Sequence, residues 1–142
     1  QIAYFDLNHI SFLSPVVRPL INERFVRQLL KRIYTNQNLI TPEAVLTFAR
    51  PYSKHDAISS FVKSFRLLKD PRVSQELSKL ASRTLILWGR KDKIISVKFA
   101  KKIQQSIPGS ILEIHPTAGH HIQEDVPEWL FEHIQAFLNG PT

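Results

Sequence analysis

The pattern of apolar and polar residues divides the chain near residue 80. Before that point, apolar residues recur at the spacing of amphipathic helices, and prolines and short polar segments separate these stretches. We predict helices over 22–34, 41–50 and 56–68. Thr41 can serve as an N-cap and Pro42 stands at the first helical position, which is a common way for a helix to begin. The first part of the chain is therefore predicted to be helical.

The second part has a different pattern. Two short, continuous apolar runs, Thr84–Trp88 and Ile111–Ile114, are typical of strands buried on both faces of a parallel sheet. An amphipathic segment follows each run, with Ser96 as N-cap of the first and Pro127 near the start of the second. The order is β-α-β-α, the repeating unit of a doubly wound sheet. We expect the last helix to bury one apolar stripe: Leu130, Phe131, Ile134, Phe137 and Leu138.

A titratable side chain follows each predicted strand. Asp92 comes shortly after Gly89, and His120 comes directly after Gly119. The carboxyl ends of parallel strands share one edge of a sheet, where α/β proteins usually place their chemistry. A histidine there can act as a general base, and a carboxylate can hold its imidazole in the correct tautomer. The neighbouring His121 is the alternative base.

The other acids and histidines in this region have simpler interpretations. Glu124 and Asp125 precede Pro127, where negative side chains favour the N-terminal end of a helix dipole, so we predict that they are capping residues. His115 lies at the end of a strand and is expected to be structural. No pair of these residues has the spacing of a zinc site, so we predict no metal site. We also predict no cofactor.

Composition limits the function further. The 142 residues are 43% hydrophobic and 22% charged, as in an ordinary globular domain. The net charge of +7 comes from scattered lysines and arginines without a nucleic-acid-binding motif, so we expect no nucleic-acid partner. No apolar run approaches the roughly 18 residues that a membrane span requires. The absence of cysteine excludes disulfides and thiolate chemistry.

The residues around Asp92 and His120 resemble the C-terminal third of an α/β-hydrolase-fold enzyme. The similarity covers 84–129 and rests on ordered motifs: Leu85-Ile86-Leu87-Trp88-Gly89 with Asp92, Ile107-Pro108-Gly109-Ser110, Gly119-His120, and Glu124 with Pro127-Glu128. The resemblance implies that Asp92 is the acid and His120 the histidine of a nucleophile–acid–histidine triad. It also implies that 1–79 form a helical cap and that 80–142 form the C-terminal part of the catalytic domain, including its last two parallel strands.

The nucleophile of that family is missing from this chain. None of the four glycines flanks a Ser or Asp at the spacing of a G-x-S-x-G elbow. Two strands are also too few for an open sheet with helices on both faces, and the chain contains no methionine at all. We therefore expect the chain to be the C-terminal part of a larger fold, to need the N-terminal half of that fold as its partner, and to be inactive alone.

The resemblance implies that the whole protein hydrolyses a small, largely apolar molecule. A Ser nucleophile would direct it to esters or to carbon–carbon bonds beside a carbonyl. An Asp nucleophile would instead direct it to epoxides or haloalkanes. A third alternative is a hydrolase-fold protein without activity that binds another molecule.

Overall fold

The computed structural model describes residues 22–53, 60 and 75–140. The elements with both ends among these residues are five α-helices, two β-strands and 3₁₀ turns at Gln37–Leu39 and Arg50–Ser53: α1 Glu23–Ile33, α2 Pro42–Ala49, β1 Leu85–Gly89, α3 Val97–Ser106, β2 Ile111–His115, α4 Ile122–Asp125 and α5 Pro127–Asn139. The helix predicted over 56–68 falls almost entirely outside the described residues.

The chain separates into two compact units. One contains 1–29 and 41–70, and the other contains 30–40 and 71–142. The predicted division into a helical cap over 1–79 and a catalytic part over 80–142 stays a prediction. In the first unit, the Thr41 side chain accepts a hydrogen bond from the backbone N–H of Ala44 at 3.1 Å, which confirms it as the N-cap of α2. The side chains of Val26 and Val45 are buried there.

Both strands, α3 and α5 belong to the second unit. β1 and β2 are parallel neighbours whose register pairs Leu85 with Ile111 and Gly89 with His115. The two strands therefore end at the same level, and the loops that follow them start at one edge of the sheet. The connection between them contains α3, whose N-cap is Ser96, and the Ser96 side chain accepts a hydrogen bond from the N–H of Lys98 at 3.3 Å. The predicted β-α-β-α order is confirmed.

The last helix differs from the prediction in its burial. Of its expected core stripe, Phe131, Ile134 and Leu138 are all exposed, with Phe131 at 63% and Leu138 at 69%. Within the described ranges, no helix is long and apolar enough to cross a membrane.

Candidate active site

Asp92 is held rigidly in the loop after β1. Its Oδ1 accepts hydrogen bonds from the backbone N–H groups of Ile94 and Ile95, both at 2.8 Å. This local arrangement, in which an Asp side chain closes its own turn, suits an aspartate placed at the end of a strand. Only 3% of the side chain is exposed. The second oxygen, Oδ2, is left to interact with a residue from another loop.

That residue is His120. Its Nδ1 lies 2.8 Å from Oδ2 of Asp92, and 28% of its side chain is exposed. An ionised carboxylate can only accept a hydrogen bond, so Nδ1 is the donor, and in a neutral imidazole this leaves the lone pair on Nε2. Among the described residues, no side chain makes a hydrogen bond to Nε2. The imidazole is thus oriented, partly accessible and in the tautomer that can remove a proton.

Gly89 allows the two loops to approach closely enough for this contact. A Cβ at Gly89 would lie 2.2 Å from the carbonyl oxygen of Gly119 and 2.4 Å from that of Ala118. The N–H of Lys91 also donates to the carbonyl of Ala118 at 3.0 Å. The loops after β1 and β2 are therefore in direct backbone contact, and this contact requires glycine at the end of β1.

The other two histidines of the region occupy different environments. The ring of His121 lies edge-on to Tyr34, with 5.4 Å between centroids, and its Nδ1 is 3.4 Å from Oε1 of Glu124. His115 accepts a hydrogen bond through Nδ1 from the N–H of Ala118 at 3.1 Å. The structure therefore brings His120, rather than His121, to Asp92, while His115 braces the turn that leads to His120.

Asp125 has a role that the sequence did not reveal. The prediction that it caps the last helix is wrong, because Val126 is the N-cap of α5 and makes no side-chain bond there. The carboxylate of Asp125 instead accepts hydrogen bonds from the N–H groups of Thr35 and Asn36, about ninety positions earlier. It also accepts one from the N–H of Gly119, six positions earlier. Burial alone would raise the pKa of Asp125, but these hydrogen bonds outweigh it and lower the pKa below its ordinary value.

Glu124 is not a capping residue of α5 either. It accepts a hydrogen bond from the hydroxyl of Tyr34, whose ring is buried. Burial raises the pKa of Tyr34, and the hydrogen bond and negative charge of Glu124, together with the charge of Asp125, raise it further. Neither contact could be predicted from the sequence, because Tyr34 and Thr35 follow an ordinary amphipathic helix with no motif of their own.

A separate groove of about 360 Å³ lies near the opposite, N-terminal ends of the strands. It is lined by Leu85, Ile111 and the C-terminal part of α5, and it includes neither Asp92 nor His120. The groove is therefore not part of the candidate active site. Across the part of the chain that the structure describes, His, Asp and Glu side chains do not gather in a group that could hold a metal ion.

Comparison with known proteins finds several hydrolases that resemble this chain. No protein-family model matches the chain. It is 23% identical over 130 residues to the uncharacterised hydrolase YugF of Bacillus subtilis, covering 92% of this chain and 48% of that protein. It is also 27% identical over 115 residues to a 2-hydroxy-6-oxononadienedioate/2-hydroxy-6-oxononatrienedioate hydrolase of Comamonas testosteroni, covering 79% of this chain and 38% of that one.

Solved structures show the same relationship. A meta-cleavage product hydrolase from Pseudomonas fluorescens superposes with a TM-score of 0.69 at 20% identity, over 83% of this chain and 46% of its own. The chain has the fold of the C-terminal portion of an α/β-hydrolase. An esterase from Exiguobacterium antarcticum matches this α/β-hydrolase portion with a TM-score of 0.66 at 20% identity, over 92% of this chain and 48% of its own. The chain spans less than half the length of these relatives.

Proposed function

We propose that this chain provides the general base and its orienting acid for a hydrolase, with His120 as the base and Asp92 as the acid. The single observation that carries the proposal is the hydrogen bond of 2.8 Å between Nδ1 of His120 and Oδ2 of Asp92. The side chain of His120 is 28% exposed at the edge of the sheet where both strands end, and Nε2 is its other ring nitrogen. The similarity to hydrolases of the same fold supports this assignment.

The chemistry follows from the tautomer. Nε2 of His120 removes the proton from a hydroxyl nucleophile as that hydroxyl attacks the carbonyl carbon of the substrate, and it then gives the proton to the leaving group. The imidazolium formed between these steps is stabilised by the negative charge of Asp92. Water repeats the sequence on the acyl-enzyme, and the nucleophile is regenerated. The nucleophile and the oxyanion hole would come from a segment other than these 142 residues.

The names of similar proteins support a proposal for the class of substrate. The Comamonas protein is named for a 2-hydroxy-6-oxo-dienedioate, a compound with a ketone along an unsaturated chain, and another similar structure is an esterase. Ketones and esters share a carbonyl carbon that a serine hydroxyl can attack. We therefore propose a serine nucleophile and a small carbonyl substrate, either an ester or a ketone whose adjacent carbon–carbon bond is hydrolysed.

The test is turnover of p-nitrophenyl acetate and butyrate by the full-length protein and its His120→Ala variant. We expect the substitution to lower kcat by about 10⁴-fold or more, since loss of a triad histidine removes both proton transfers. His121→Ala is the matched control, and it should lower kcat by about tenfold or less. If His120→Ala leaves turnover unchanged, His120 is not the base. A wild-type protein that turns over neither substrate, and that carries Gly or Ala at the nucleophile position, would instead be a binding protein.

A further inference from the structure

The carboxylate of Asp125 joins two segments that are far apart in the sequence. Thr35 donates its backbone N–H at 3.1 Å and its hydroxyl at 3.0 Å, and Asn36 donates its N–H at 3.0 Å. From the other side, Gly119 donates its N–H at 2.7 Å. Four donors thus converge on one side chain that can only accept. The turn before His120 is fastened through this carboxylate to the residues that follow α1.

The next peptide group is fixed as well. The backbone N–H of His120 donates to the carbonyl oxygen of Ile33 at 2.8 Å. Ile33 is the last residue of α1, where carbonyl groups lack a partner within the helix. Two consecutive N–H groups therefore have separate acceptors: that of Gly119 donates to the Asp125 carboxylate, and that of His120 donates to the Ile33 carbonyl. With its backbone fixed in this way, the imidazole has only its own torsions left to adjust, and Asp92 determines these.

The space around Gly119 shows how tight the fastening is. A Cβ built on Gly119 would lie 2.5 Å from the carbonyl oxygen of Ile33 and 3.0 Å from Oδ2 of Asp125. Even a methyl group would push the turn away from its two partners. The backbone of the turn therefore has little freedom to move unless the hydrogen bonds of Asp125 break.

We infer that Asp125 is a positioning residue for His120, which keeps the imidazole within hydrogen-bond distance of Asp92 by anchoring the Gly119 turn to Thr35 and Asn36. The inference rests on the proposed function, in which His120 is the base. A carboxylate is required because every neighbour of Asp125 named here is a donor. An Asn would turn its own NH₂ group toward one of these donors, and one anchor of the turn would be lost.

The kinetic test uses Asp125→Asn in the full-length protein with p-nitrophenyl butyrate. Displacing a catalytic group by about 1 Å can cost roughly 10²-fold in rate, so we expect kcat to fall about 10- to 100-fold while KM changes less than about threefold. Thr35→Val removes only the hydroxyl donor, so it should lower kcat less than Asp125→Asn does. Thr35→Ser keeps that donor and should have the kcat of wild type. Glu132→Gln removes an exposed carboxylate from α5 and should leave kcat unchanged.

The spectroscopic test follows the His120 Nδ1 proton, which resonates far downfield in proton NMR when it is bonded to a carboxylate. Its loss in Asp92→Asn assigns the resonance. In Asp125→Asn we expect the proton to exchange with water at least about tenfold faster, with no change in Glu132→Gln. This measurement depends only on the contact between His120 and Asp92. It therefore tests the positioning role even if His120→Ala retains full turnover and the proposed function fails.

The inference is overturned if Asp125→Asn folds, loses thermal stability, and yet keeps both the wild-type kcat and the wild-type exchange rate, since the residue would then serve the fold alone. Should Asp125→Asn not fold, Thr35→Val decides. An unchanged kcat and an unchanged resonance in Thr35→Val would overturn the inference, and a loss that Thr35→Ser restores would support it.

Discussion

The imidazole of His120 is bonded through Nδ1 to the carboxylate of Asp92, 28 positions earlier in the chain, and the other oxygen of that carboxylate binds the backbone of its own loop. The two oxygens of Asp92 thus have separate tasks. One holds the loop in place and the other holds the histidine. A change that preserves the first task and removes the second would isolate the contribution of the orienting charge.

Asp92→Asn is such a change. The amide oxygen can still accept from Ile94 and Ile95, which leaves the NH₂ group facing His120 and favours the tautomer that carries its proton on Nε2. We expect kcat/KM of the full-length protein to fall about 10⁴-fold, as for the wrong tautomer in a serine hydrolase. Thermal unfolding should change little. A loss of less than about tenfold would show that Asp92 does not orient the base.

Gly119→Ala tests the close approach of the turn. The new methyl group would lie 2.5 Å from the carbonyl oxygen of Ile33, so the turn or its partner must shift. We expect the free energy of unfolding to decrease by about 1–3 kcal/mol, the usual cost of overpacking, and the activity to decrease with it. Urea denaturation provides the measurement.

Gly109→Ala is the control for that experiment. Gly109 has open space around its Cβ position, but its φ of +72° is one that other residues rarely adopt. The substitution should lower the free energy of unfolding by about 1–2 kcal/mol through backbone strain and should not lower kcat. If Gly119→Ala proves as stable and active as wild type, the turn is looser than the structure indicates.

The lowered pKa of Asp125 predicts how its contribution to stability depends on pH. A group whose pKa is lower in the folded state stabilises the protein at pH values above its unfolded pKa, which is near the ordinary value of 3.8. The contribution disappears as the pH falls through the lower, folded pKa. We expect wild type to exceed Asp125→Asn by about 1–3 kcal/mol at pH 7 and this difference to shrink below pH 3.8.

Unfolding by urea at several pH values measures this difference, with Glu132→Gln as the exposed reference. A difference between wild type and Asp125→Asn that stays constant from pH 7 to the most acidic pH at which both fold would contradict the prediction. In that case the variant would act through packing and not through the charge of the carboxylate.

The contact between Tyr34 and Glu124 can be tested by a double-mutant cycle. Tyr34→Phe removes a buried hydroxyl that donates to a carboxylate, so we expect a loss of about 1–3 kcal/mol near neutral pH. In the Glu124→Gln background the same substitution should cost clearly less. Additive losses would mean that the two side chains are not energetically coupled.

The raised pKa of Tyr34 adds a dependence on alkaline pH. The folded state keeps the phenolic proton at pH values where the unfolded state, near the ordinary pKa of 10.0, releases it. Stability contributed by Tyr34 is therefore complete below pH 10 and decreases above it. The difference between wild type and Tyr34→Phe should decrease over the same range in urea titrations. A difference in stability between wild type and Tyr34→Phe that grows with pH would contradict a raised pKa of Tyr34 in the folded state.

Much of the architecture could be predicted from local sequence, because local physics determines it. Thr41 and Ser96 were expected to cap helices, and both do so through their side-chain oxygens. The continuous apolar runs became parallel strands with level ends. A polar residue just beyond each strand end was therefore bound to lie at the same edge, which is why Asp92 and His120 could be selected together.

What the sequence determined by itself was thus the set of elements, their parallel order and the edge at which the acid and histidine meet. The tertiary structure decided which of two adjacent histidines contacts Asp92, where the carboxylate of Asp125 points, and how little of the α5 stripe is covered. The first two of these features depend on where the end of α1 lies relative to the turn of Gly119, which Asp125 joins to Thr35, about ninety positions earlier. Helical periodicity and capping act over a few residues, so only packing in three dimensions could determine it.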